Sequence, residues 1–211
     1  MKSFGNKTIF ENIEEILKPD HTVLVNWDVQ NGLVNNIFNK DEFVKNVKKL
    51  TELARNKNIP VLYTKITPLP FQYMAPSGIY SYMKRFGVSD PSKLPVFMAP
   101  NSSESEIYPD LAPEKEDYVI NKNTASLFIG TNVDNMFKAA GIKTVIFTGI
   151  ATEIGVESSV RDSGNLGYYT VVASDSCSSH SKEMHEAALK SMSTVSMVMD
   201  TKSIMEILEK E

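Results

Sequence analysis

Short segments that are apolar at consecutive positions constrain this chain more than any other feature. Val23-Leu24-Val25-Asn26-Trp27 and Thr144-Val145-Ile146-Phe147-Thr148 are of this kind. A strand with one face in water alternates apolar and polar residues, whereas a strand covered on both faces reads as a continuous run. Six segments read as strands: Thr22 to Trp27, Pro60 to Ile66, Asp117 to Asn121, Thr144 to Thr148, Tyr168 to Ser174 and Val195 to Met199. Helical patterns fill the gaps. Thr8 and Glu11 have capping-box spacing ahead of Ile9, Phe10, Ile13, Ile16 and Leu17, and Pro19 stops that helix. Asn39 and Glu42 repeat the spacing before Phe43, Val47 and Leu50. Thr131 and Asp134 repeat it before Val133, Met136 and Phe137, with Gly141 as a C-terminal cap. Further helices are expected from about Glu153 to Gly164, around Met184, Ala188 and Met192, and from Asp200 into Ile204 and Leu208. Alternating strands and helices predict an α/β fold with right-handed crossovers, a three-layer α/β/α sandwich.

The stretch from Thr67 to Asp117 breaks the rhythm. It holds eight of the ten prolines, together with Phe71, Tyr73, Tyr80, Tyr82, Phe86, Phe97 and Tyr108. Long irregular stretches inside compact domains are uncommon, and so many aromatics argue against disorder. It is expected to be an ordered excursion that covers the carboxyl ends of the strands or meets a partner subunit. No repeat or second domain is visible, so residues 1–211 read as a single domain.

A net charge of −4 speaks against nucleic acid as a partner, and Lys45, Lys48 and Lys49 read as a solvated helix face. Cys177 is the sole cysteine, which removes intrachain disulfides and most zinc sites. His180 and His185 are spaced off a common helix face and read as surface or packing residues. No metal and no cofactor is expected. No apolar run approaches membrane-spanning length and the N-terminus lacks a signal-like region, so a cytoplasmic protein without a membrane partner is expected.

In open α/β sheets ligands bind beyond the carboxyl ends of the strands. Three ends carry candidates: Asn26-Trp27-Asp28-Val29-Gln30-Asn31-Gly32, Ile120-Asn121-Lys122-Asn123, and Thr148-Gly149-Ile150-Ala151-Thr152-Glu153-Ile154-Gly155. The first lacks the glycines of a dinucleotide turn, and no phosphate-cradling loop or Gly-x-Ser-x-Gly elbow occurs. Gln30 stands where an aspartyl phosphotransferase wants a second acid for magnesium. An acid, a lysine and a glycine-containing turn remain, from three separate strands.

These three runs, with Leu127-Phe128-Ile129-Gly130-Thr131 after the second and Gly167-Tyr168-Tyr169-Thr170 after the third, resemble the isochorismatase-like hydrolases over nearly the whole chain. The resemblance implies a Rossmann-like six-stranded parallel sheet, a homo-oligomer, a small-molecule substrate and a cis peptide before Ala151. It places Asp28 and Lys122 on the catalytic aspartate and lysine of the amide-cleaving members, whose third member is a cysteine. Here that position is Gly155, which offers no nucleophile. Cys177 follows a different strand and reads as a small buried residue. Tyr63-Thr64-Lys65-Ile66-Thr67 stands where nicotinamidase-like members carry metal ligands.

Members similar to true isochorismatases also carry glycine there and hydrolyse a vinyl ether, which needs a proton donor. The resemblance therefore implies a hydrolase of a small carboxylated metabolite with Asp28 as general acid, its pKa raised by burial against Trp27. Lys122 would pull that pKa down or hold a substrate carboxylate, and Gly155 leaves room for substrate. Backbone N–H groups in the turn would hold an oxyanion. Gln30, Phe128, Ile150, Ala151 and Thr152 are candidate substrate-binding residues, although Phe128 also suits packing and Thr152 an N-cap. Lys84 and Arg85 form either an anion clamp or a solvated pair. Two other readings stand beside this one: an inactive member acting as a small-molecule binder or scaffold, and an amide or ester hydrolase that uses activated water.

Overall fold

The computed structural model describes residues 1–210. A small antiparallel hairpin, β1 (Lys2–Phe4) and β2 (Lys7–Ile9), precedes the main sheet. That sheet holds β3 (Thr22–Trp27), β4 (Val61–Ile66), β5 (Tyr118–Lys122), β6 (Thr144–Ile150), β7 (Tyr169–Ser178) and β8 (Met197–Met199). All neighbours are parallel and the order is β5-β4-β3-β6-β7-β8, so the expected six-stranded α/β sheet is present. The chain enters at the centre on β3, runs outward to the β5 edge, and returns to the other side of β3 with β6. Strand order therefore reverses between β3 and β6, and the crevice for a ligand opens there.

The helices are α1 (Ile13–Ile16), α2 (Asn31–Val34), α3 (Lys40–Asn56), α4 (Pro76–Phe86), α5 (Val133–Ala139), α6 (Glu157–Asn165), α7 (Lys182–Met192) and α8 (Thr201–Lys210). Successive residues of β3 point to opposite faces, which is what its unbroken apolar run requires. Leu24 joins Ile16, Phe43, Leu50 and Ile204 on the α1, α3 and α8 side. Val23, Val25 and Trp27 join Phe137, Val160 and Ala188 on the α5, α6 and α7 side. The sheet is thus the middle of three layers. No helix among the described residues is long and apolar enough to cross a membrane.

Several expected caps differ. The hairpin extends to Ile9, so the first helix starts at Ile13, and Asn12, not Thr8, caps it by accepting from Glu15 N at 2.9 Å. Asn39 precedes α3, but its oxygen accepts from Ser178 Oγ and no capping box with Glu42 forms. Thr131 donates to Leu127 O at 2.5 Å, and α5 begins at Val133. Gly141 does close α5, its N–H donating to Lys138 O at 3.2 Å.

The proline-rich excursion contains α4, which Pro76 opens and Gly87 follows. Gln30 ties this excursion to the sheet. Its Nε2 donates to Ser105 O at 2.8 Å and Ile66 O at 3.2 Å, while its Oε1 accepts from Ile66 N at 2.7 Å.

Candidate active site

Asp28 follows β3 at φ 48°, in the left-handed region that aspartate enters more readily than most residues. Its N–H donates to Thr64 Oγ1 of β4 at 2.9 Å, and the Thr64 hydroxyl donates back to Asp28 Oδ1. Lys122 ends β5, and its Nζ donates to Asp28 Oδ2 at 2.7 Å and to Thr124 O at 3.2 Å. Three adjacent strands therefore each deliver one polar side chain to the same point. The Asp28 and Lys122 side chains are both completely buried.

Burial is the largest influence on both groups. It pushes the Asp28 carboxyl up, against the pull of Lys122 and Thr64, and it pushes the Lys122 ammonium down, against the pull of Asp28. Both members are driven toward their neutral forms, so the proton between them belongs to the pair.

On the other side of β3, the cis peptide implied for the β6 end is found at Ile150–Ala151. A π-helical turn, Thr152–Val156, follows and runs into α6. The N–H groups of Ile154, Gly155 and Val156 all converge on Ala151 O, at 3.2, 3.1 and 3.3 Å. These three are engaged within the turn and do not face an oxyanion, contrary to the expectation for them.

Gly155 lies under the indole of Trp27. A Cβ at this position would fall 1.7 Å from Trp27 Cη2 and 2.0 Å from Cζ2, inside the ring. The face of the same indole carries Lys122 Nζ, 3.5 Å from the ring centroid. Gly149, at φ 118°, makes room for the backbone beneath it, because a Cβ there would meet the Trp27 carbonyl oxygen at 1.9 Å.

A cavity of about 420 Å³ opens over Asp28 and Trp27. Ile150 and Ala151 line it from the β6 end, and Tyr82, Arg85 and Phe97 line it from the excursion. Asp28 and Arg85 are the charged side chains among its described lining. Arg85 lies with its guanidinium 5.4 Å from the Phe97 ring centre and forms no salt bridge among the described residues. Lys84 instead sits over Tyr80, outside this lining.

Three expected substrate contacts lie elsewhere. The Gln30 amide is taken up by backbone groups, as described above. Phe128 stacks on Tyr168 and meets Phe137 edge-on. Thr152 Oγ1 donates to Ser178 O at 3.0 Å and meets His185 Nδ1 at 2.8 Å, so it caps no helix. Cys177 is buried, and burial pushes its thiol up, away from reactivity. Sequence reasoning missed Thr64 and gave Trp27 only a burial role. The signals were a lone threonine closing the apolar run of β4 and the single tryptophan of the chain.

A family model described as the isochorismatase domain matches residues 22–203. A ureidoacrylate amidohydrolase from Acinetobacter baylyi is 30% identical over 205 residues, covering 89% of this chain and 83% of that protein. An uncharacterized isochorismatase family protein from Bacillus subtilis is 30% identical over 169 residues, covering 80% and 84%. Among solved structures, an isochorismatase family protein from Burkholderia thailandensis superposes with a TM-score of 0.74 at 26% identity, over 90% of this chain and 96% of that one. A cysteine hydrolase from Pseudomonas syringae pv. phaseolicola shares the fold, with a TM-score of 0.78 at 18% identity over 91% and 94%.

Proposed function

Since this chain belongs to the isochorismatase family of hydrolases, we propose that it cleaves a small carboxylated enol ether, with Asp28 as general acid and no covalent nucleophile. One observation carries this reading: the space a nucleophile at position 155 would need is filled by the Trp27 ring. Among its described lining, the cavity then offers a substrate an acid, Asp28, and a cation without a salt bridge to the described residues, Arg85. A guanidinium binds a carboxylate through two parallel hydrogen bonds, which favours a carboxylated ligand.

The chemistry follows from those two groups. Arg85 holds the carboxylate, and Asp28 transfers its proton to the terminal methylene carbon of the enol ether. The C=C electron pair becomes the new C–H bond, and the ether oxygen stabilises the neighbouring carbon as an oxocarbenium ion. Water adds there and returns a proton to Asp28. The hemiketal then collapses, its hydroxyl proton passing to the leaving alcohol, and a 2-oxo acid remains. Burial favours the protonated carboxyl that the first step requires. Lys122, behind Asp28, sets how firmly that proton is held.

The names of the amidohydrolase relatives favour a second reading, in which Asp28 activates water for attack on an amide. Incubation with isochorismate, simple enol ethers and ureido and carboxamide acids, followed by mass spectrometry, separates the two. The acid mechanism predicts 2-oxo acid from the enol ethers, and none from the Asp28→Asn variant. Turnover of amides alone supports the water mechanism, and no turnover of either class contradicts hydrolysis.

A further inference from the structure

Trp27 sits between the two features that define this site. Its ring occupies the position of any side chain at residue 155, and its face bears the ammonium of Lys122. Its backbone is packed so closely by β6 that only a glycine fits at 149. A leucine or isoleucine at position 27 would also fill an apolar core, but would offer no π face to a buried cation. We propose that Trp27 is the positioning residue that decides the reaction type: the indole takes the nucleophile's place and holds Lys122 against Asp28. Trp27 and Gly155 are then a coupled pair. Neither is replaceable alone without disturbing the ion pair, and a thiol returns to this site only if the indole leaves.

The inference rests on reading Asp28 and Lys122 as the working pair, but its test needs no substrate. Thermal unfolding of the wild type, Gly155→Ala, Trp27→Val and the double variant forms a double-mutant cycle. Gly155→Ala alone is expected to lower Tm by roughly 5–10 °C, because the ring must move. In the double variant the loss is expected to be clearly smaller than the sum of the two single losses. Strictly additive losses would overturn the pairing.

A second arm reads the nucleophile position itself. In Trp27→Val/Gly155→Cys, iodoacetamide is expected to alkylate the thiol at position 155 at least about tenfold faster than in Gly155→Cys alone, a difference of about 1.4 kcal/mol in barrier. Peptide mass spectrometry locates the label, and buried Cys177 serves as the unlabelled internal control. Equal rates in the single and double variants would contradict occlusion by the indole. Contact with the cation is read spectroscopically, since Trp27 is the only tryptophan. Lys122→Met is expected to shift its emission, and an unchanged spectrum would remove the positioning role. Failure of a substrate screen would count against the proposed hydrolysis and leave all three readings of Trp27 standing.

Discussion

Arg85 reaches the cavity from α4 and forms no salt bridge among the described residues. A hydrogen bond to a charged group contributes about 1.5–3 kcal/mol, so its loss is worth roughly 10–100-fold in binding. Arg85→Met is expected to raise KM for the carboxylated substrate by that factor, with kcat within a few-fold, in steady-state assays. Lys122 acts differently, because it touches Asp28 and not the cavity. The folded Asp28 carboxyl lies above its ordinary 3.8 because burial outweighs the pull of Lys122 and Thr64. The acid form is the active one, so kcat falls as pH rises through that raised pKa. Lys122→Met removes a cation that stabilises the carboxylate, and the descending limb of the pH profile is expected to move to higher pH. A limb that moves to lower pH would reverse the sign assigned to Lys122. At this scale the sequence made Asp28 and Lys122 visible, as polar residues ending apolar strands. It could not reveal that Trp27 overlaps Gly155, because that contact spans distant segments and depends on ring orientation.

The buried Gln30 amide is one of the ties between the excursion and the strand ends, beside the Asn31 N–H on Glu106 O and the Tyr108 N–H on Val29 O. Gln30→Leu leaves Ile66 N–H and Ser105 C=O without their partner. Each unsatisfied group costs about 1–3 kcal/mol, so a loss of roughly 2–4 kcal/mol is expected in urea unfolding, with a raised KM as α4 loosens. The turn after β6 has its own anchor in the Thr152–His185 contact. Burial holds the His185 imidazole below its ordinary 6.5. An unfolded histidine takes up a proton as pH falls through 6.5, while the folded one stays neutral. The stability it contributes is therefore present above that value and lost as pH falls through the lower folded pKa. His185→Gln is expected to flatten the fall in Tm between about pH 7 and about pH 5. Strands were legible because burial on both faces writes itself into consecutive apolar residues, and β3 matches its expected span at both ends. The short first helix and the hairpin before it were not. Thr8 and Glu11 mimic a capping box, yet exposed β2 runs through Thr8 to Ile9. Asn39 misled for a related reason: its side chain serves a distant partner, Ser178, which local spacing does not encode.

Asp28 and Lys122 are 94 residues apart in the chain and meet only because β5, β4 and β3 are consecutive in the sheet. The strand order reverses beside β3, which sets the β6 turn against the same point. The excursion then roofs a cavity that the strands alone leave open. The convergence of β3, β5 and β6 was within reach of the sequence because each of these strand ends carried its own motif, whereas β4, which brings Thr64, carried none. The roof was not, since prolines and aromatics announce an ordered stretch without saying that Arg85 lines the cavity. Asp28 is the acid among the described lining under that roof. Asparagine keeps the shape of Asp28 and tolerates its left-handed backbone, so Asp28→Asn removes the transferable proton with little rebuilding. The most direct measurement is the single-turnover rate of this variant on an enol ether that the wild type hydrolyses, with folding checked by thermal unfolding. General acid catalysis by Asp28 predicts a loss of roughly 10²–10⁴-fold at similar substrate affinity, and a folded variant that retains the wild-type rate within a few-fold would contradict it.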